Sequence, residues 1–282
     1  MRASGGGAFP APRPLGLIAG NGRFPFLVAQ AARRQGRRVV AVAIREEAFP
    51  ELEHEVDAVH WVSLGQLGRC IDALKAEGVT EAVMAGQVKH RQIFSGIVPD
   101  LKLMAVLARL AVKNTDSLIG AVADVLAGEG IRLLPSTSLL EDQMASPGPM
   151  TRARPSRDER QDIEYGGRVA RALAGLDLGQ TVVIKSRAAV AVEAMEGTDE
   201  VIRRAGRIAG PGTTVVKVAK PGQDMRFDVP VVGPGTLETM GEAGARVLAL
   251  DAGKTLLIDK ASLLARADTA GIAVWGMTPG EP

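Results

Sequence analysis

Aromatic residues make up only 3% of the 282-residue chain, so Ala, Val, Leu and Ile must build most of its core. Cysteine occurs once. Cys70 has no partner for an internal disulfide, which fits a reducing compartment, and a lone thiol in a helical stretch reads as a small packed hydrophobe rather than a nucleophile. No uncharged apolar run reaches the roughly 18 residues that a membrane-spanning helix needs. The opening MRASGGGAFPAPRP lacks a signal-peptide core. Residues 1–14 are therefore expected to be a disordered lead-in, and the protein is expected in the cytoplasm. Formal net charge is +2, without the clustered basic surplus of a nucleic-acid binder, so no nucleic-acid partner is expected. His54, His60 and His90 show no metal-ligand spacing. No Walker-type loop, paired-cysteine motif or Ser-His-Asp order can be read.

What is present is the profile of a soluble globular protein, 46% apolar and 23% charged, long enough for two ordinary domains. LGLIAG (15–20), RRVVAVAI (37–44), AVHWVSL (58–64) and EAVMAG (81–86) read as strands. FPFLVAQAARRQG (24–36) and LGRCIDALKAEGV (67–79) read as helices, each stopped by a glycine. Helices at 100–111 and 116–128 and a strand at 131–134 complete a first block, 15–140. Strands alternating with helices predict a Rossmann-like α/β domain with a mostly parallel sheet. EDQMASPGPMTRARPSR (141–157) loses all periodicity and reads as a linker. The second block, 158–282, mixes helices and strands in an order that predicts a mixed-sheet α/β domain, with a strand expected at 226–232.

Two places carry chemistry in the first block. GLIAGNGRFP sets Gly20, Asn21 and Gly22 at a strand-to-helix turn, where free N–H groups and the helix dipole favour an anion. Pro25 stands at the third glycine slot, so the strict dinucleotide fingerprint fails. AGQVKHRQIF brings Gly86, Gln87, Lys89, His90 and Arg91 to the same end of the sheet.

In the second block, KVAKPGQDMRFDVPVVG (217–233) is dense in opposed charge. At a period of two, Met225, Phe227 and Val229 share one face and Asp224, Arg226 and Asp228 the other. Two aspartates so placed on a straight strand are about 13 Å apart and could not chelate one ion. Either the chain bends after the Lys-Pro-Gly, or one carboxylate binds metal and the other a basic group. With Lys217 and Lys220 upstream, the set suits Mg2+-assisted phosphoryl chemistry: a carboxylate for the hard cation, and bases for phosphate oxygens. VEAMEGTDEVIRRAG adds Thr198 as a helix N-cap with Asp199 in the first turn. Its ligand-binding alternative uses the same turn with Arg203 and Arg204.

LGLIAGNGRFP, AGQVKH, LDLGQTVVIKSRAAVAVEAMEGTDEVIRR and VVKVAKPGQDMRFDVPVVG together resemble the bacterial LpxI family, UDP-2,3-diacylglucosamine pyrophosphatases of lipid A synthesis, from about residue 15 to the C-terminus. The resemblance implies two α/β domains and a Mg2+-dependent cytoplasmic hydrolase that yields UMP and 2,3-diacylglucosamine 1-phosphate (lipid X). It implies a catalytic aspartate in the QD-RFD motif, Asp228 or Asp224. Asp228 is favoured as the one in the expected strand body. Asp228 and Asp224 would hold Mg2+ or orient water, with Arg226, Lys217 and Lys220 on phosphate oxygens. Thr198 and Asp199, together with Gly20–Gly22, Gly86, Gln87 and Lys89, would add substrate contacts. A UDP-linked diacylated glucosamine is the expected partner, and a homodimer and peripheral contact with the inner membrane are compatible with it. Two rival readings are a non-catalytic nucleotide-sugar sensor and an NAD(P)-dependent oxidoreductase. Pro25, and Arg45-Glu46 after the second strand, count against the latter.

Overall fold

The computed structural model describes residues 13–88, 98–110 and 115–278. Lys89, His90 and Arg91 lie outside the described residues, as do residues 1–12 of the expected lead-in. The chain divides into two compact units, Met1–Leu139 and Leu140–Pro282.

Among the described residues of the first unit, β1 (Leu15–Ala19), β2 (Val39–Ile44), β3 (Ala58–Val62), β4 (Glu81–Ala85) and β5 (Arg132–Leu133) form one sheet. Its order is β3-β2-β1-β4-β5, with every neighbouring pair parallel. This is the expected Rossmann-like arrangement. β2 reads VVAVAI because both its faces are covered. Val40 and Val42 join Leu67, Ile71, Leu74 and Leu126 in one core. Val39, Ala41 and Ala43 are equally buried on the opposite face. Cys70 belongs to the first of these cores, and burial pushes its thiol up to about 12. It is packing material, as expected.

The strand order reverses between β1 and β4, and that switch point is where open α/β sheets gather ligands. The two turns leaving it are zipped together. The Asn21 N–H donates to the Gln87 carbonyl at 2.8 Å, and the Gln87 N–H donates back to Asn21 at 3.0 Å. A Cβ on Gly20 would lie 2.7 Å from the Gln87 oxygen, and one on Gly86 would lie 2.6 Å from the Asn21 oxygen. Gly86 also sits at φ +92°. Contact between the turns thus requires both glycines, whatever else the turns bind. Gly86→Ala is expected to destabilise the protein by about 1–3 kcal/mol, read as a fall in the denaturation midpoint. A midpoint equal to wild type would contradict this account of the turns.

In the second unit, the described strands β6 (Gly148–Pro149), β7 (Thr181–Lys185), β8 (Ala188–Val192), β9 (Thr214–Lys217), β11 (Val247–Asp251) and β13 (Ala273–Met277) form a mixed sheet of order β6-β13-β11-β9-β7-β8. β9, β11 and β13 run parallel, while β6, β7 and β8 pair antiparallel to their neighbours. Period-two alternation supplies both faces. Val182, Ile184, Val216 and Ala249 pack with Ile163 and Ala170 of the Arg157–Gly175 helix. Val183, Val215, Leu248 and Leu250 pack with residues of the Thr198–Ala209, Pro234–Ala243 and Lys260–Thr269 helices.

Residues 141–157 are not a linker. β6 pairs with β13, the Ala145 N–H donates to the Thr255 carbonyl at 2.8 Å, and the Thr151 hydroxyl accepts the Val274 N–H at 2.9 Å. The segment satisfies the backbone of a sheet edge that would otherwise stay open. Its Pro and Gly content reflects an irregular path along that edge.

The strand expected at 226–232 shrinks to β10 (Val231–Val232), which pairs with β12 (Leu256–Leu257). Residues upstream of it turn instead. The Asp224 carbonyl accepts the N–H groups of Phe227 at 3.1 Å and Asp228 at 2.8 Å. The Asp224 side chain accepts the Arg226 N–H at 3.0 Å. An aspartate's local hydrogen bonds compete with a sheet ladder, and here they win. The chain does bend after Lys-Pro-Gly.

Candidate functional site

β9 ends at Lys217, opposite Thr181 of β7 and Leu250 of β11. Lys217 is 7% exposed. Its ammonium donates to Thr198 Oγ1 at 2.9 Å. The Thr198 hydroxyl donates in turn to Glu193 Oε1 at 2.9 Å. Its one proton being spent there, the Thr181 hydroxyl 3.2 Å away must be donor to it. Glu193, itself buried, accepts the Gln180 N–H on its other oxygen at 3.1 Å. Desolvation drives the Lys217 pKa below its ordinary 10.5, opposed by the charges of Glu193, Asp199 and Asp228. Asp228 therefore lies within electrostatic reach of Lys217.

The Thr198–Ala209 and Pro234–Ala243 helices meet here at their amino ends. Thr236, in the first turn of the second, donates its hydroxyl to Asp199 Oδ1 at 2.9 Å. Thr198 is not the N-cap. That place belongs to Gly197 at φ +84°, and no side chain caps the helix. The glycine's positive φ shifts the boundary by one residue and frees the Thr198 hydroxyl for the cluster. Glu193, Thr181 and Thr236 were not singled out from the sequence. Only Glu193 carried a signal, as an acid at the end of an otherwise apolar strand.

The remaining charges stand in local pairs. Arg226 Nε approaches the two Asp224 oxygens at 2.9 and 3.1 Å, and its Nη2 approaches Oδ2 at 2.6 Å. That hydrogen-bonding guanidinium is the main cause holding the Asp224 carboxyl below its usual range. The pair is about one-third exposed, so it contributes about 1 kcal/mol or less to stability. What it fixes is the shape of the turn. Lys220 Nζ donates to Asp177 at 2.7 Å. Arg203 bonds Glu200 and Thr239, and Arg204 bonds Glu196 and the Val192 carbonyl. Neither arginine joins the cluster through these bonds. Among the described residues, no three His, Cys, Asp or Glu side chains are placed to hold a metal ion by themselves.

Two family models match. The LpxI N-terminal domain covers residues 14–143, and the LpxI C-terminal domain covers residues 146–275. A protein of Caulobacter vibrioides, "UDP-2,3-diacylglucosamine pyrophosphatase LpxI", is 32% identical over 280 residues, which is 95% of this chain and 99% of that one.

The chain belongs to the LpxI family.

The Lys217 cluster of this LpxI chain falls within the C-terminal match, and the zipped glycine turns fall within the N-terminal match. Solved structures are more distant. A pyruvate carboxylase of Rhizobium etli aligns at 14% identity and a TM-score of 0.29, over 61% of this chain and 14% of that one. N5-carboxyaminoimidazole ribonucleotide synthetase of Thermotoga maritima aligns at 14% and 0.27, over 63% and 40%. At such scores these likenesses carry no argument about this LpxI chain.

Proposed function

We propose that this LpxI chain hydrolyses the pyrophosphate bond of UDP-2,3-diacylglucosamine, giving UMP and 2,3-diacylglucosamine 1-phosphate (lipid X) in lipid A synthesis, with Mg2+. The water oxygen bonds to one phosphorus, the bridging P–O bond breaks, and the water's protons leave with the two phosphate products. Membership of the family supports the substrate. The observation that carries the chemistry is the buried Lys217 ammonium, held by Thr198 at the meeting of two helix amino ends. A cation and oriented N–H groups in a desolvated place stabilise charge that develops on phosphate oxygens.

Lys217 and the N–H groups that open the Thr198–Ala209 helix bind those oxygens, and the Thr198 hydroxyl, turned toward Glu193, accepts from the ammonium and holds it in place. Asp228 would be the carboxylate that holds Mg2+, and it would orient the water. The fit is of the kind Mg2+ accepts, one or two carboxylates completed by substrate phosphates and water. A chelate by both aspartates fits less well, because Asp224 directs both oxygens to Arg226. When bound, the ion neutralises pyrophosphate charge. Asp224 and Arg226 set the turn that carries Asp228, and Asp199 and Lys220 complete the polar surround. The proposal extends to a cytoplasmic enzyme, dimeric and touching the inner membrane through its two-acyl substrate. No helix among the described residues is long and apolar enough to cross a membrane.

Release of UMP from UDP-2,3-diacylglucosamine with Mg2+ and with EDTA tests this. Binding without turnover would favour the sensor reading. The pH profile adds a sign. Lys217 loses its proton below the ordinary lysine range of 10.5, so kcat/KM is expected to fall on an alkaline limb below that value. The limb's absence from a profile taken to pH 10.5 would contradict a catalytic cation at Lys217.

A further inference from the structure

We propose that Asp251 and Arg171 clamp the start of the segment that carries Asp228, which makes Asp251 a positioning residue for the reaction. The inference rests on the functional reading above. β9 and β11 pair as far as Lys217 and Leu250. The next residue of β11 is Asp251, only 4% exposed, and its side chain takes over where the ladder ends. Oδ2 accepts the Ala219 N–H at 2.9 Å. Oδ1 accepts from Arg171 Nη2 at 3.0 Å. A buried carboxylate is held at such a place only with a cation and hydrogen bonds to answer it.

Room for that cation is built into the helix. Gly167 lies one turn before Arg171 in the Arg157–Gly175 helix, and a Cβ there would stand 2.9 Å from Arg171 Nη1. Glycine is disfavoured in a helix interior, yet here it leaves the guanidinium its position. Three separate stretches therefore converge on one backbone N–H, two residues after Lys217. Downstream, the segment is fixed again. The Lys220 N–H donates to Gln223 at 2.8 Å, Asp228 to the Asp224 carbonyl at 2.8 Å, and Leu256 to the Pro230 carbonyl at 2.9 Å. Those later bonds set the shape of the segment, and the clamp sets where it leaves the sheet. A small displacement at Ala219 moves Lys220 and the Asp224–Asp228 turn together, while Lys217 stays in its strand.

The test compares wild type with Asp251→Ala, Arg171→Met, Arg171→Lys and Gly167→Ala, each in steady-state hydrolysis, thermal denaturation and amide hydrogen exchange. Asp251→Ala is expected to lower kcat about 10- to 100-fold, to change KM by less than about threefold, and to speed exchange across residues 218–230 about tenfold. Arg171→Lys is expected to recover part of what Arg171→Met loses. If Asp251→Ala does not fold, Gly167→Ala carries the test. It pushes the guanidinium aside without touching the segment, and should lower kcat about fivefold with no fall in Tm. Unchanged kcat in a folded Gly167→Ala and Arg171→Met, with wild type turning over, overturns the inference alone. Absence of wild-type turnover overturns the functional reading, and hydrogen exchange then decides separately whether the clamp holds the segment.

Discussion

Lys217→Met is expected to lower kcat for pyrophosphate cleavage by about 10²–10³-fold while moving Tm by only a few degrees. Removing one member of a buried ionic group is usually destabilising. Here the direction of the Lys217 shift argues otherwise. Desolvation outweighs the attraction of Glu193, Asp199 and Asp228, so the folded chain holds the charged form at a net cost. Methionine removes that cost and keeps most of the volume. The sign follows from linkage. The folded pKa lies below the unfolded 10.5, so between the two values the unfolded chain binds more protons and stability rises with pH. Lys217→Met should abolish that rise. A variant that is both folded and fully active would remove Lys217 from the site. One that cannot fold would show that the carboxylates need their cation more than the burial argument allows.

The second large effect separates the two aspartates. Asp228→Asn is expected to lower kcat about 10³-fold and to raise the Mg2+ concentration needed for half-activity, because it removes the carboxylate assigned to the ion and the water. Asp224→Asn should cost only about tenfold. Its amide oxygen can still accept the Arg226 N–H, and what it loses is the bidentate grip on the guanidinium. Initial rates across a Mg2+ titration distinguish the two variants. Equal loss in both, with equal change in Mg2+ dependence, would restore the two-carboxylate chelate.

Much of this fold was legible where one physical rule dominates. Apolar runs such as VVAVAI of β2 and the glycine stops of the first helices gave strands and helices close to those observed. Reading failed where local hydrogen bonds or irregular backbone took over. Met225, Phe227 and Val229 alternate with charged residues as a strand would, yet Asp224 folds its own neighbours into a turn. The Pro- and Gly-rich stretch at 141–157 has no period because it follows the edge of a sheet across β6 rather than forming a long element. In the site, Lys217, Thr198, Asp199 and Asp228 were named from residue type and resemblance. Glu193 and Thr181 are neighbours of Thr198 only through strand pairing and a glycine at φ +84°, and no spacing rule on a single sequence contains that contact.

The central claim is that the Lys217 cluster is where UDP-2,3-diacylglucosamine is cut. The most direct measurement is UMP release from that substrate, with saturating Mg2+, by wild type and by Lys217→Met shown to be folded. The account predicts Mg2+-dependent release by wild type and a loss of about 10²–10³-fold in the variant. Wild-type rates in the variant, or no release by wild type at all, would contradict it.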